Sequence, residues 1–342
     1  MMNTKIFKRI LAVTLTGIVA TAALAGCGGN AGTSEAGSAG TAASSTEETV
    51  VRIGAQPFPL YTPIYVAHER GYLQEELEAV GASYTWDEFQ SGPLVNEAVA
   101  AGEEDVGFMA DLPAIIAKST GQNIEIVSNV AYGEQALAVL IPTDSDISSV
   151  ADLKGKTIGY ATGSYAQHLL ALLLEGEGLT LDDVQSVNLG AGDQPAALAN
   201  GEVDAIVIWE QYISQLTSEG TAKVLADGTG IKKGNMITYF VSDYAQEHPE
   251  IVEAYIKALN RADEDLQSDP AGCAADVAED FNVSPELMEQ IIEKFTFKTA
   301  LDEDDIKEIT SVKDFSLDAG IIQNDVDIDS FINTQYLEEV NN

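Results

Sequence analysis

The sequence predicts an α/β fold in two lobes, each a doubly wound sheet. Strand-like and helix-like runs alternate three times between Thr49 and the helix opened by Asp111-Leu112-Pro113. The same rhythm resumes after an apolar run from Ala136 to Ile141, and a further extended run from about Asn235 to Val241 leads into a long, mostly helical tail. Strand-then-helix repetition is the signature of parallel sheets covered by helices.

The elements follow in order. Thr49-Val50-Val51-Arg52-Ile53-Gly54-Ala55 is rich in β-branched residues and reads as the first strand. The turn-like Gln56-Pro57-Phe58-Pro59 follows, and Thr62-Pro63 supplies an N-cap and a proline suited to a first helical position. Gly71 ends that helix. Tyr84 to Phe89 is the second strand, and Ser91-Gly92-Pro93 opens a helix that Gly102 closes. Val106 to Ala110 is a buried third strand. Beyond Pro142, the strands Lys156 to Tyr160, Gln185 to Leu189 and Ala205 to Ile208 rebuild the pattern, with a helix from about Gln194 to Asn200. Ala136 to Ile141 and Met236 to Val241 are the candidate crossovers, and the cleft between lobes lies where strands end and helices begin.

Composition narrows the function. The 342 residues hold 55 Asp and Glu against 17 Lys and Arg, a net charge of -38. Without residues 1 to 26, which carry three basic residues and no acid, the balance is 14 against 55, or -41. Nucleic acid is excluded as a partner, because its binding needs basic residues to neutralise phosphates. So acidic a chain is expected to be soluble and monomeric. The three histidines, His68, His168 and His248, have no metal-ligand spacing, and no cofactor motif is present. Catalytic triads, phosphate loops and paired catalytic acids are not visible either, so an enzyme is not expected. His68 and His248 read as surface residues, and His168 as one that could face the cleft.

The N-terminus carries an address. Lys5, Lys8 and Arg9 precede an apolar run from Ile10 to Ala25, shorter than the ~20 residues of a spanning helix. Leu24-Ala25-Gly26-Cys27 resembles a bacterial lipobox. The resemblance implies a signal peptide over 1 to 26, diacylglycerol on the Cys27 thiol, and an extracytoplasmic domain anchored to the membrane. Gly28 to Glu48 lacks large apolar residues and reads as a flexible tether spanning roughly 25 Å. The other cysteine, Cys273, then has no disulfide partner and is expected as a small apolar helix residue.

Four stretches resemble the solute-binding proteins of bacterial importers for aliphatic sulfonates, taurine, nitrate and thiamine-pyrimidine precursors. They are Pro63 to Leu73; Phe89 to Leu94 leading to Ala101 to Phe108; Asp152 to Gly159 followed by Gly163 to Ala166; and Ala196 to Ala205 with Trp209-Glu210. The resemblance implies a type II periplasmic-binding-protein fold with a helical C-terminal extension. Residues 49 to 137 plus 242 to 342 would form lobe one, and 138 to 241 lobe two. Its implied partners are a small-molecule ligand in the cleft, an ABC permease with its ATPase, and the membrane through Cys27.

The candidate ligand-binding residues are Gln56, Phe58, Tyr61, Ser91, Gly92, Asp111, Gly163, Ser164, Tyr165, Ala166, Asp193, Trp209 and Glu210. Helix starts at Ser91-Gly92 and Gly163-Ser164 offer unpaired N–H groups and a positive dipole end to an anionic head. Phe58, Tyr61, Trp86, Tyr165, Trp209 and Tyr212 could box an organic group, with Trp86 favoured as core. Asp111, Asp193 and Glu210 complicate an anion, since like charges at 4 Å repel by roughly 4 kcal/mol at an effective dielectric of 20. Either Asp111 and Asp193 spend their charge capping helices, or an acid accepts from an amine. The leading ligand is an aliphatic sulfonate or taurine. The alternatives are a thiamine-pyrimidine precursor, a nitrate-like anion, or a sensory module without an importer. Arg70 reads as solvated, as do Glu103-Glu104-Asp105 and Asp302 to Asp305.

Overall fold

A computed structural model describes residues 49 to 341. The expected signal peptide, lipidated Cys27 and tether fall on residues 1 to 48, outside the described residues. Two mixed sheets organise the chain. The larger has the order β11-β4-β10-β3-β1-β2. Its strands are β1 (Thr49–Ala55), β2 (Ala82–Glu88), β3 (Val106–Ala110), β4 (Ile124–Tyr132), β10 (Met236–Val241) and β11 (Thr296–Phe297). Strand β1 runs parallel to β2 and β3, while β10 lies antiparallel between β3 and β4. The smaller sheet has the order β7-β6-β8-β5-β9, from β5 (Leu137–Pro142), β6 (Thr157–Tyr160), β7 (Gln185–Asn188), β8 (Ala205–Trp209) and β9 (Ala222–Asp227). All of β10 pairs in the larger sheet, so by strand membership the chain has returned there before Met236 rather than after Val241.

Burial explains which runs became central strands. Every residue of β3 and β8 is buried, as continuous apolar runs covered on both faces must be. Helices cover the larger sheet: α1 (Thr62–Glu69), α2 (Tyr72–Ala79), α3 (Gly92–Ala101) and α4 (Asp111–Ser119), then α8 (Ser242–Glu247) and the long α9 (Pro249–Ser268). The smaller sheet carries α5 (Tyr165–Gly176), α6 (Gln194–Ala199) and α7 (Tyr212–Ser218). The tail adds α10 (Pro270–Val277), α11 (Pro285–Ile292), α12 (Glu303–Asp318), α13 (Ile328–Phe331) and α14 (Gln335–Asn341). Cys273 is fully buried on α10, and burial pushes its thiol up to about 11. Among the described residues no helix is long and apolar enough to cross a membrane.

Four charged groups expected in solvent are drawn inward. Arg70 is not solvated but bonds Asp265 at 2.5 Å and Asp276 at 2.8 Å, fastening the end of α1 to α9 and α10. Asp105 accepts from the Arg52 backbone N–H and side chain at 3.0 and 2.8 Å. Glu104 beside it is also buried, because the turn after α3 feeds straight into a central strand. Asp305 is fully buried between Lys233 and Lys298, whereas Glu303 and Asp304 stay exposed.

The two crossovers, residues 133 to 136 and 228 to 235, lie side by side. Gly228 N donates to Glu134 O at 2.9 Å and Gly133 N to Lys233 O at 3.1 Å. A Cβ on Gly133 would come within 2.8 Å of Lys294 O, so only glycine lets the tail pack this closely on the crossover.

Candidate functional site

At the ends of β1, β3 and β8, a narrow cavity is lined by Gln56, Phe58, Leu60, Tyr61, Ser91, Gly92, Ala110, Pro113, Ser164, Tyr165 and Trp209. The centre of a water-sized sphere fits in about 20 Å³ of it, room for roughly one water. That space is too small for an organic solute. Eight of the sequence-predicted residues converge here: Gln56, Phe58, Tyr61, Ser91, Gly92, Ser164, Tyr165 and Trp209.

Each wall has a local cause. The helix α3 begins where Gly92 stands against Pro113 of α4, and a Cβ at Gly92 would meet Pro113 Cγ at 2.9 Å. Ser91 holds the N-cap position without spending its side chain on the cap. Ser164 does cap its helix: its hydroxyl donates to Ala161 O at 2.6 Å and accepts from Ala166 N at 3.3 Å. Gln56 Nε2 donates to Phe108 O at 2.6 Å, which fixes the amide at the end of β1. The Tyr61 ring packs on Phe108 with centroids 5.0 Å apart. Tyr165 and Trp209 pack at 5.7 Å, and both are buried. The Tyr165 hydroxyl and the Trp209 indole Nε1 have no partner within the protein. An orphaned buried donor costs about 1 to 3 kcal/mol, so both groups point to a bound polar partner.

The three troublesome acids separate by position. Asp111 is fully buried and lies outside the cavity lining; it is the first residue of α4, with Ala110 at the N-cap position. Its charge is met by Lys232 Nζ at 3.1 and 3.2 Å, and its Oδ1 also accepts from Leu112 N in the first turn of α4 at 2.7 Å. Glu210 is likewise fully buried, accepting from Lys294 Nζ and from Ser214 N at 3.1 Å. Asp193 is exposed at the start of α6, with no side-chain cap bond. The sequence missed both lysines. A single basic residue in a loop gives no periodic signal, and only the tertiary pairing identifies it.

Gly163 and Ala166 stand beside the lining rather than in it, and a Cβ on Gly163 would come to 3.7 and 3.8 Å from Pro93 and Ile116 of the other half. Trp86 does not line the cavity and packs in the core on Tyr65 at 5.1 Å, on Phe108 at 6.0 Å and on His68, stacked at 4.4 Å. That contact keeps His68 half-buried instead of solvated. Half-buried His248 packs on Tyr244. Tyr212 is not among the lining residues either. His168 is buried against Phe315 at 4.4 Å and does not line the cavity.

Comparison with known proteins follows this geometry. The NMT1/THI5 like family model matches residues 59 to 273. A protein of Bacillus subtilis (strain 168), provisionally named as aliphatic sulfonates-binding, is 29% identical over 292 residues, covering 84% of this chain and 87% of the relative. Its similarly named counterpart in Escherichia coli (strain K12) is 32% identical over 179 residues, 52% of this chain and 56% of that protein's length. The chain thus spans little more than half of the Escherichia coli relative. The alkanesulfonate-binding protein SsuA of Xanthomonas axonopodis pv. citri, solved bound to MOPS, superposes with a TM-score of 0.77 at 29% identity, covering 84% of this chain and 98% of that one. With the periplasmic-binding-protein fold in place and well over half its length matched, the chain belongs to the NMT1/THI5-like family.

Proposed function

We propose that the protein is an extracytoplasmic solute-binding lipoprotein of an ABC importer that captures an aliphatic sulfonate or taurine in the cavity between its halves. The observation that carries this is a cavity furnished with hydrogen-bond donors but no free charge. Tyr165 and Trp209 offer an O–H and an N–H without protein partners. The starts of α3 and α5, at Ser91 and Ser164, bring first-turn N–H groups and the positive ends of two helix dipoles to the same space. Asp111 and Glu210, which would repel an anion, are each neutralised by a lysine. A sulfonate is a weakly basic anion with three acceptor oxygens, suited to several donors at once. Phe58, Tyr61 and Trp209 supply flat apolar walls for its carbon chain. The names of the relatives agree with this chemistry.

Capture stabilises the closed arrangement, and the importer's permease reads that closed surface. Cys27, by its lipid, holds the receptor near its membrane partner. No chemical step is assigned to the protein. Isothermal titration with methanesulfonate, longer alkanesulfonates, taurine, nitrate and an aminopyrimidine tests the ligand class. Tight binding of a sulfonate is expected, and binding of the aminopyrimidine alone would overturn the class while keeping the receptor.

A further inference from the structure

On the smaller-sheet side the cavity wall ends at Trp209, and the next residue is the buried Glu210. One carboxylate oxygen of Glu210 stays within its own half, accepting from Ser214 N at 3.1 Å. The other accepts from Lys294 Nζ, which also donates to Ser214 Oγ at 2.8 Å. Lys294 comes from the opposite half. It follows α11 and stands two residues before β11, the edge strand of the larger sheet. Its carbonyl rests against crossover residue Gly133.

The same arrangement occurs on the other side. Ala110 lines the cavity, Asp111 comes next and is buried, and its lysine, Lys232, belongs to the second crossover. Lys232 and Lys294 both line an open groove on the hinge side, of about 620 Å³, together with Gly133 and Glu134. Each half therefore closes its cavity wall with an acid that is held from the hinge.

A buried carboxylate with a charged partner has little freedom of direction, so the lysine's position fixes the acid and the residue bonded to it. For Glu210 that residue is Trp209, whose unpartnered indole nitrogen and ring face belong to the cavity. We propose that Lys294 is a positioning residue for solute capture: by holding Glu210 from across the hinge it sets Trp209 in place. This rests on reading the cavity as the solute site. Lys294 lies beyond the segment that the family model matches, residues 59 to 273.

The chain contains two tryptophans, which makes the test direct. With 5-fluorotryptophan in the full chain, fluorine NMR gives one resonance for Trp209 and one for Trp86. Trp86 packs on Tyr65 and His68 and serves as the control. Lys294→Met is expected to move the Trp209 resonance without ligand and leave Trp86 in place. It is also expected to speed dissociation of bound methanesulfonate or taurine about tenfold, with association nearly unchanged. Lys294→Arg restores both, and Lys294→Met with Glu210→Gln is no worse than Lys294→Met alone. An unmoved Trp209 resonance in Lys294→Met overturns the proposal, and so do equal shifts of both tryptophans with a lowered melting temperature. If neither probe binds the unaltered chain, the sulfonate reading falls, while the ligand-free Trp209 shift still decides the role of Lys294.

Discussion

The ring of Phe58 stands edge-on to the indole of Trp209, centroids 5.5 Å apart and planes at 76°. Phe58 lies in the turn just past Ala55, the end of β1, and Trp209 ends the central strand of the smaller sheet, so this one contact spans the cleft. An edge-to-face pair contributes about 0.5 to 1.5 kcal/mol beyond the area it buries. Phe58→Ala should accordingly weaken binding of a sulfonate by roughly three- to tenfold. Titration calorimetry checks the affinity, and small-angle scattering of the ligand-bound form should show a larger radius than the unaltered protein. Unchanged affinity and radius would mean the contact contributes nothing to closure.

The pair Asp111–Lys232 makes a second prediction, because both side chains are almost wholly buried, at 0% and 1% exposure. Removing one member of such a pair leaves an uncompensated charge and costs about 3 to 5 kcal/mol. Lys232→Met alone should therefore lower the urea midpoint sharply. Lys232→Met with Asp111→Asn should recover most of the loss, since neither remaining group is charged. A double variant as unstable as the single one would show that Lys232 acts through packing and not through its charge.

The positions of most cavity residues could be read from the sequence because chain-local rules govern them. Helix starts at Ser91 and Ser164 follow from capping chemistry, and strand ends at Ala55, Ala110 and Trp209 follow from apolar runs. What escaped depends on distant partners. Ile124–Tyr132 is a nine-residue strand with Glu125, Ser128 and Asn129 buried within it, and these polar residues hide its apolar pattern. Its backbone is satisfied by β10, more than a hundred residues away. Lys232 and Lys294 carry no signal in the sequence, and Arg70 reads as solvated there, for the same reason. Their acids lie 121, 84 and 195 residues off, and no window of sequence holds both members.

Gly92 yields a third prediction, from space alone. Its missing side chain lets the start of α3 sit on Pro113, with a Cβ there coming to 2.9 Å of Pro113 Cγ and 3.3 Å of Met109 Cβ. Neither neighbour is the far end of a flexible chain. Gly92→Ala should cost about 1 to 3 kcal/mol by overpacking. It should also push α3 away from the cavity and reduce affinity more than the stability loss alone explains. Thermal unfolding and titration together test this, and a variant with native affinity would place the Gly92 backbone away from the solute.

His168 gives the pH dependence. The imidazole is 3% exposed on Phe315, with Nδ1 unpartnered. Burial, and next the charge of Lys232, push its pKa down from 6.5 to about 2. The folded protein thus keeps His168 neutral where the unfolded chain would protonate it. Its contribution is whole above pH 6.5 and is lost as pH falls from there towards 2, by about 1.4 kcal/mol per unit once well below 6.5. Glu104 works in the opposite sense: burial first, then Asp87, raises its carboxyl to about 7, so its contribution is present below about 4.5 and is lost as pH rises through 7. His168→Leu removes the first effect and leaves the second. Denaturant titrations of the two proteins should agree in slope above pH 7 and diverge below 6, with the unaltered protein losing stability faster. Parallel curves down to pH 5 would mean that the imidazole reaches solvent and charges within the folded state.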